Sequence, residues 1–343
     1  MRSVSVIGAG PVGLVAALRH SHEFDVQLIA SRPEPGDVRR VDALPGGFLA
    51  LLVELGVHPR ELGVDGWHSS YMASWGTESP VISPSARKFH IDRRHLERQL
   101  WRLVRSRSRI EVTGMEQLRD RGLIIDATGR RAVTAARRIE PQQPWIARTV
   151  CFHGEFTEAH QVLRIAALPD GYCYRIGTGD MLTIGFVGPR SQPAASTASP
   201  LEPLGDREFA WMFAGVPYAA SPVGGRGGKA SVQWSIGEES TVRIGDANLA
   251  YDALSSHGIA GGVAQAMRVS SRTDESSRDL VRRRAHLQNL QSMIRECRWR
   301  SHSAWSDYST FLSSSIGALA AGESEQARSS NGERAIAAEQ TLQ

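Results

Sequence analysis

Six residues near the start of the chain, Gly8-Ala9-Gly10-Pro11-Val12-Gly13, constrain its fold more than any other feature of the sequence. They follow a short apolar strand pattern, Ser3 to Ile7, and open a helical one, Leu14 to His20. A second strand pattern runs from Asp25 to Ala30, so the opening reads strand, loop, helix, strand and predicts a parallel sheet with helices on its faces. In such a loop the first glycine permits the tight turn, the second lets the backbone approach a pyrophosphate, and the third lets helix and strand pack closely. The helix N-terminus adds free N–H groups and a partial positive charge. Gly8, Gly10 and Gly13 are therefore the candidate pyrophosphate residues of a dinucleotide-binding unit. The acidic residue that usually closes the second strand and binds the adenosine ribose is missing, because Ala30 stands there; Arg32 and Glu34 are the candidates to reach back.

A second loop of the same character lies far along the chain. Arg243-Ile244-Gly245-Asp246-Ala247 sets a carboxylate after a strand and a glycine, where it can accept bonds from ribityl hydroxyls. Asp252-Ala253-Leu254-Ser255-Ser256-His257-Gly258-Ile259 then opens a helix at Val263 to Met267, aiming backbone N–H groups at an electron-rich ring edge. Between the two loops, helices are expected at Phe48 to Leu55 and Arg93 to Val104, and a buried strand at Leu123 to Asp126 ends in Ala127-Thr128-Gly129. From about Trp145 to Ile236 the pattern alternates, at Thr149 to Phe156, Gln161 to Ala166, Tyr172 to Ile176 and Met181 to Val187, which predicts antiparallel strands. Ser191 to Pro203 reads as a loop, and a basic helix and a small-residue helix near Ser313 to Ala321 follow. The expected division is a nucleotide-binding domain at 1–65, 88–145 and 237–275, an antiparallel-sheet substrate domain at 66–87 and 146–236, helices at 276–322, and a disordered tail at 323–343.

Composition excludes several classes. The net charge of +4 is modest, and the densest basic run, Arg282-Arg283-Arg284, lies on a helical pattern and reads as a solvated face without the aromatic interleaving of RNA-binding sheets. No nucleic-acid partner is expected. No apolar run approaches the roughly 18 residues of a membrane span, and the first strand begins at once, so no membrane association and no secretory signal are expected. Cys151, Cys173 and Cys297 are too scattered for a disulfide framework, which favours a cytoplasmic protein with reduced thiols. His90, His95, His153 and His160 lack metal-ligand spacing, so no metal is expected. No GxSxG elbow marks a hydrolase.

Together, the GxGxxG, Asp126-Ala127-Thr128-Gly129 and Gly245-Asp246 resemble the FAD-dependent monooxygenase and flavin-dependent halogenase superfamily, over roughly residues 1 to 275. Arg93, followed by Leu96-Glu97 and Leu100, matches that superfamily's arginine-led helix, whose arginine approaches the flavin from the pyrophosphate side. The resemblance implies an α/β fold: a Rossmann-like FAD domain of the glutathione-reductase-like, p-hydroxybenzoate-hydroxylase type, with an inserted mixed or antiparallel substrate sheet and C-terminal helices. The stretch Asp252 to Ile259 is similar to the loop of tryptophan halogenase-like flavoproteins, in particular the maturation flavoproteins that hydroxylate a protein tryptophan for cysteine or lysine tryptophylquinone biogenesis. Gly171-Tyr172-Cys173-Tyr174-Arg175-Ile176 sits where halogenases carry WxWxIP; both tryptophans are tyrosine here and Gly177 replaces the proline, which argues for hydroxylation over halogenation.

What the resemblance implies is an oxidoreductase using FAD and O2, hydroxylating an aromatic ring through a flavin C4a-hydroperoxide, with a precursor protein bearing the target tryptophan as partner. Electrons would come from a reduced nicotinamide or from a separate donor protein, since no second glycine fingerprint is present. Ser255, Ser256, Gly258 and Ile259 would lie against the isoalloxazine beside Gly245 and Asp246, and Ser256 and His257 are the catalytic candidates. Tyr172 and Tyr174 alternate onto one face of a strand and either line the substrate cavity or belong to the core. The alternatives are a small-molecule hydroxylase, halogenase or reductase, and a non-catalytic flavin-binding protein.

Overall fold

A computed structural model describes residues 3–32, 34, 40–62, 64–118, 122–156, 162–189, 210–214, 222–237, 241–253, 258–269 and 275–320. The expected βαβ opening is present as β1 (Ser3–Ile7), α1 (Pro11–His20) and β2 (Asp25–Ile29). β1 and β2 run parallel from Ser3 opposite Asp25 to Ile7 opposite Ile29. With β6 (Ile110–Thr113), β7 (Leu123–Asp126) and β15 (Thr241–Arg243) they form a five-stranded parallel sheet in the order β15-β7-β1-β2-β6. Val4, Val6, Leu28 and Ile125 are buried in its core with Leu14, Val15 and Leu18 of α1. Continuous apolar strands of this kind need cover on both faces. Helix α2 (Gly46–Glu54) contributes Phe48 and Leu52, α3 (Arg93–Ser106) contributes Leu96, Leu100 and Trp101, and α5 (Gly258–Arg268) contributes Val263 and Ala266.

An eight-stranded sheet stands beside it, drawn from β3 (Val41–Pro45), β4 (Val64–Ser74), β5 (Val81–Asp92), β9 (Trp145–His153), β10 (Leu163–Leu168), β11 (Gly171–Gly177), β12 (Met181–Pro189) and β13 (Pro222–Lys229). Their order is β13-β9-β12-β11-β10-β4-β5-β3. The β3 end curls back over the middle of the sheet: the Val41 N–H donates to Thr183 Oγ1 of β12 at 3.0 Å. One face carries Val150, Phe152, Cys173, Leu182, Ile184 and Phe186, packed on Met212 of the short helix α4 (Ala210–Phe213). The other carries Trp145, Ala167, Tyr172 and Val187 against Leu287, Leu290 and Ile294 of α6 (Glu275–Glu296) and Trp305, Tyr308 and Leu312 of a helix over 303–320, α7. A three-stranded sheet, β16-β14-β8, joins β8 (Arg137–Ile139), β14 (Gln233–Ile236) and β16 (Leu249–Ala250).

The sequence patterns locate β1, β2, β7 and β9 to β12 with small shifts, while β3 to β6 and β13 carried no strand expectation. β9 begins at Trp145 rather than Thr149, because Trp145 and Ala147 alternate into the core beneath α7, and it stops before Phe156, which is buried beyond the strand. Arg282, Arg283 and Arg284 are half-buried, not a fully solvated face, and Arg283 reaches Asn248 Oδ1. β3, from the segment expected in the nucleotide-binding unit, is an edge strand of the large sheet. The stretches 191–203 and 323–343, expected as loop and tail, lie outside the described residues. Among the described residues no helix is long and apolar enough to cross a membrane.

Candidate functional site

The ends of β1, β7 and β15 converge, and each delivers one of the motifs. Gly8 has φ +103°, and a Cβ there would lie 2.6 Å from the Ala127 carbonyl oxygen; a Cβ on Gly13 would collide with the Gly8 carbonyl. Both glycines are required by close packing of strand and helix. Gly10 differs: it is exposed, and a Cβ would meet nothing within 4 Å. It is also the N-cap of α1, followed by Pro11, with no side chain capping the helix. Uncapped N–H groups behind an open glycine fit a pyrophosphate approaching the backbone.

Asp126, the acid of the middle motif, is fully buried and has an architectural role. Its Oδ1 accepts from the Thr128 N–H and hydroxyl at 2.9 and 2.6 Å, and its Oδ2 from the Thr134 N–H and hydroxyl at 3.0 and 2.8 Å. These bonds turn the chain after β7 so that Arg130 swings toward the late loop. There Gly245, at φ +58°, donates its N–H to Gln265 Oε1 of α5 at 2.7 Å. A Cβ on Gly262 of α5 would lie 2.6 Å from Val12 and 2.9 Å from Gly245 Cα. The two glycine loops, remote in sequence, are thus locked together through Val12, Gly245 and Gly262.

Asp246 stands where they meet. Burial among surrounding atoms pushes its pKa up, against Arg130, Arg93 and Arg40, which pull it down. Yet 36% of its side chain is accessible. Arg130 Nε lies 3.9 Å from its Oδ2, and a Cβ on Gly258, the first residue of α5, would lie 3.3 Å from its Oδ1. Arg93 is held by Glu97 at 2.7 Å and Asp42 at 3.2 Å, and Arg40 faces Asp42 at 3.2 Å. Asp42 also raises the Arg40 pKa further, ahead of Tyr174 and Asp246. Three arginines therefore surround Asp246 electrostatically, with Asp42 paired to two of them, a charge set suited to a phosphate- and hydroxyl-bearing ligand.

The two tyrosines separate. Tyr174 is half-buried, lies over Gly185, and has its pKa raised to about 12 by burial, against Arg40. Tyr172 is 1% exposed in the aromatic core, its hydroxyl donating to Asp252 Oδ1 at 2.9 Å. Ala30 is buried at the end of β2, and Arg32 and Glu34 are exposed beyond it. Ile259 is half-buried in α5. Ser255, Ser256 and His257 lie outside the described residues. Among the described residues no cluster of His, Cys, Asp and Glu could hold a metal. Sequence reasoning missed Arg40, Asp42 and Arg130. Arg130 directly follows the Asp126-Ala127-Thr128-Gly129 motif, which was a usable signal; Arg40 and Asp42 reach the site only because β3 folds back over the sheet.

No family model and no curated protein sequence matches the chain. Solved structures do. The flavin-dependent brominase Bmp2 aligns over 95% of this chain and 99% of its own, with TM-score 0.68 and 14% identity. The fold is that of the flavin-dependent halogenases. A tryptophan halogenase from Shewanella frigidimarina shares the halogenase fold over 93% of this chain and 82% of its own, at TM-score 0.68 and 12% identity. The same fold occurs in QhpG, a peptidyl tryptophan dihydroxylase essential for tryptophylquinone cofactor biogenesis, which covers 90% of this chain and 78% of its own at TM-score 0.63 and 16% identity.

Proposed function

We propose that this chain is an FAD-dependent monooxygenase that hydroxylates an aromatic ring, with a tryptophan of a partner protein as the substrate. The observation that carries the cofactor is the meeting of the two glycine loops, with Gly10 open to approach and Asp246 accessible between Arg40, Arg93 and Arg130. Gly8 to Gly13 and the N-terminus of α1 would hold the pyrophosphate, Asp246 the ribityl hydroxyls, and Arg93, fixed by Glu97 and Asp42, the phosphate side. Ser255, Ser256, Gly258 and Ile259 would face the ring, with His257 available for proton transfer. When bound, FAD supplies the activation of O2, on electrons from a reduced nicotinamide or a separate donor. The protein's own part is orientation and exclusion of water, in which Tyr174, half-buried near Arg40, would take part. Cys151, Cys173 and Cys297 are buried thiols, in keeping with a cytoplasmic reaction.

The partner-protein substrate is supported by the Asp252–Ile259 loop and by the likeness to QhpG. Tyrosine at 172 and 174, where halogenases carry tryptophan, favours oxygen transfer over halide chemistry. The test is to purify the chain with FAD and a reductant, incubate it with proteins encoded beside it, and map mass changes on their tryptophans. Addition of one or two oxygen atoms to a partner tryptophan, dependent on this chain, is the expected result. Efficient hydroxylation of a free small aromatic with proteins left untouched would move the substrate to the small-molecule class; absence of flavin bands after FAD is supplied would remove the whole reading.

A further inference from the structure

Asp252 lies between the Asp246 loop and helix α5, 1% exposed. Its two carboxylate oxygens are taken by two tyrosines from distant elements: Tyr172 of β11 donates to Oδ1 at 2.9 Å, and Tyr308 of α7 donates to Oδ2 at 2.8 Å. The Tyr308 hydroxyl oxygen in turn accepts the Val232 N–H at 2.9 Å. The backbone around Asp252 is sewn to the same turn. Ala253 N–H reaches the Ala230 carbonyl at 3.3 Å, and Arg130 donates to the Tyr251 carbonyl at 2.8 Å and also to the carbonyls of Ala230 and Ser231. Arg130 is the residue whose Nε faces Asp246.

A carboxylate this deep needs its oxygens satisfied, and leaving one unpaired is far more costly than the net worth of an ordinary hydrogen bond. Neither tyrosine belongs to the parallel sheet. One is in the large sheet and the other in the C-terminal helix, so both parts must be docked for Asp252 to sit as it does. We propose that Asp252, clasped by Tyr172 and Tyr308, is a positioning residue for Arg130 and, through it, for Asp246, which makes helix α7 an integral part of the cofactor site. It rests on the FAD reading above. Asp252 touches no reacting atom; it acts through the backbone of Tyr251 to Ala253, and Arg130 links that backbone to Asp246.

The test compares full-length wild type with Tyr308→Phe, Tyr172→Phe, Asp252→Asn and the double variant Tyr308→Phe/Asp252→Asn. The phenylalanines keep the ring packing, including that of residue 308 on Trp145, whose centroid is 4.7 Å away. Each is titrated with FAD, with the flavin absorbance shape and midpoint potential recorded beside the thermal midpoint. Tyr308→Phe is expected to raise the FAD dissociation constant about tenfold, the effect of roughly one hydrogen bond to a charged group. It should also shift the potential, and add little once Asp252 is already asparagine. Unchanged affinity and potential in the single variants, or losses that simply add in the double, overturn the clasp and leave the FAD reading standing. A wild type that takes up no flavin sinks both.

Discussion

Gly10 and Gly13 share one loop but fail differently when changed. A Cβ on Gly13 collides with the Gly8 carbonyl, and neither backbone can retreat without separating α1 from β1. Gly13→Ala should therefore destabilise the fold by about 3 kcal/mol, read from urea unfolding. Gly10 has free space at the same position, so Gly10→Ala should leave stability within about 0.5 kcal/mol while weakening FAD binding. An alanine at 10 that binds FAD as well as wild type would remove Gly10 from the pyrophosphate site. Asp246 belongs to the same scale. Asp246→Ala should release FAD more readily, and an unaltered dissociation constant would refute the ribityl role.

At the scale of elements, the large sheet closes on a pair of buried histidines. His90 of β5 donates from Nδ1 to the Gly177 carbonyl of β11, 2.5 Å away, and its Nε2 lies 2.6 Å from Nδ1 of His68 on β4. Burial, then His90 and Lys88, lowers the His68 pKa from 6.5 to about 4. His20, at the end of α1, is lowered to about 4 by burial and then Arg19. Their neutral forms contribute stability that is complete above pH 6.5, the unfolded value, and is lost as pH falls toward 4, because the unfolded chain binds the protons first. For His68 the full loss is on the order of 3 kcal/mol. Urea midpoints at pH 7 and pH 4.5 should show the fall, and His68→Gln should flatten it; an equal slope in the variant would exclude His68 as a source.

Across the whole molecule, the C-terminal helices are held by aromatic rings rather than by the parallel sheet. Trp305 is 1% exposed, packs on Trp145 at 4.8 Å between centroids, and donates from Nε1 to the Leu168 carbonyl at 2.8 Å. Trp75 donates likewise to the Met293 carbonyl at 2.7 Å, tying β4's end to α6. Trp305→Ala should lower stability by about 3–5 kcal/mol, from lost burial and the cavity left behind. A change below about 1 kcal/mol by chemical denaturation would mean that α7 adds little to the core.

The sequence alone determined the parallel sheet and its two loops, since a GxGxxG after a strand and a Gly-Asp after another are local consequences of backbone sterics. It also located four of the eight strands of the second sheet, β9 to β12, by alternation, while β3, β4, β5 and β13 carried no such expectation; the halogenase-type fold came from the motif resemblance. The charge ring of Arg40, Asp42 and Arg130, the buried histidine pair, and the clasp on Asp252 were decided only by the tertiary structure. Each joins residues far apart in sequence: the curl of β3 over β12 brings in Arg40 and Asp42, the pairing of β4 with β5 joins His68 to His90, and α7 returning across the sheet supplies Tyr308. The tyrosines make the division plain: alternation set Tyr172 and Tyr174 on one face, yet only packing left Tyr174 half-buried near Arg40 and Tyr172 in the core.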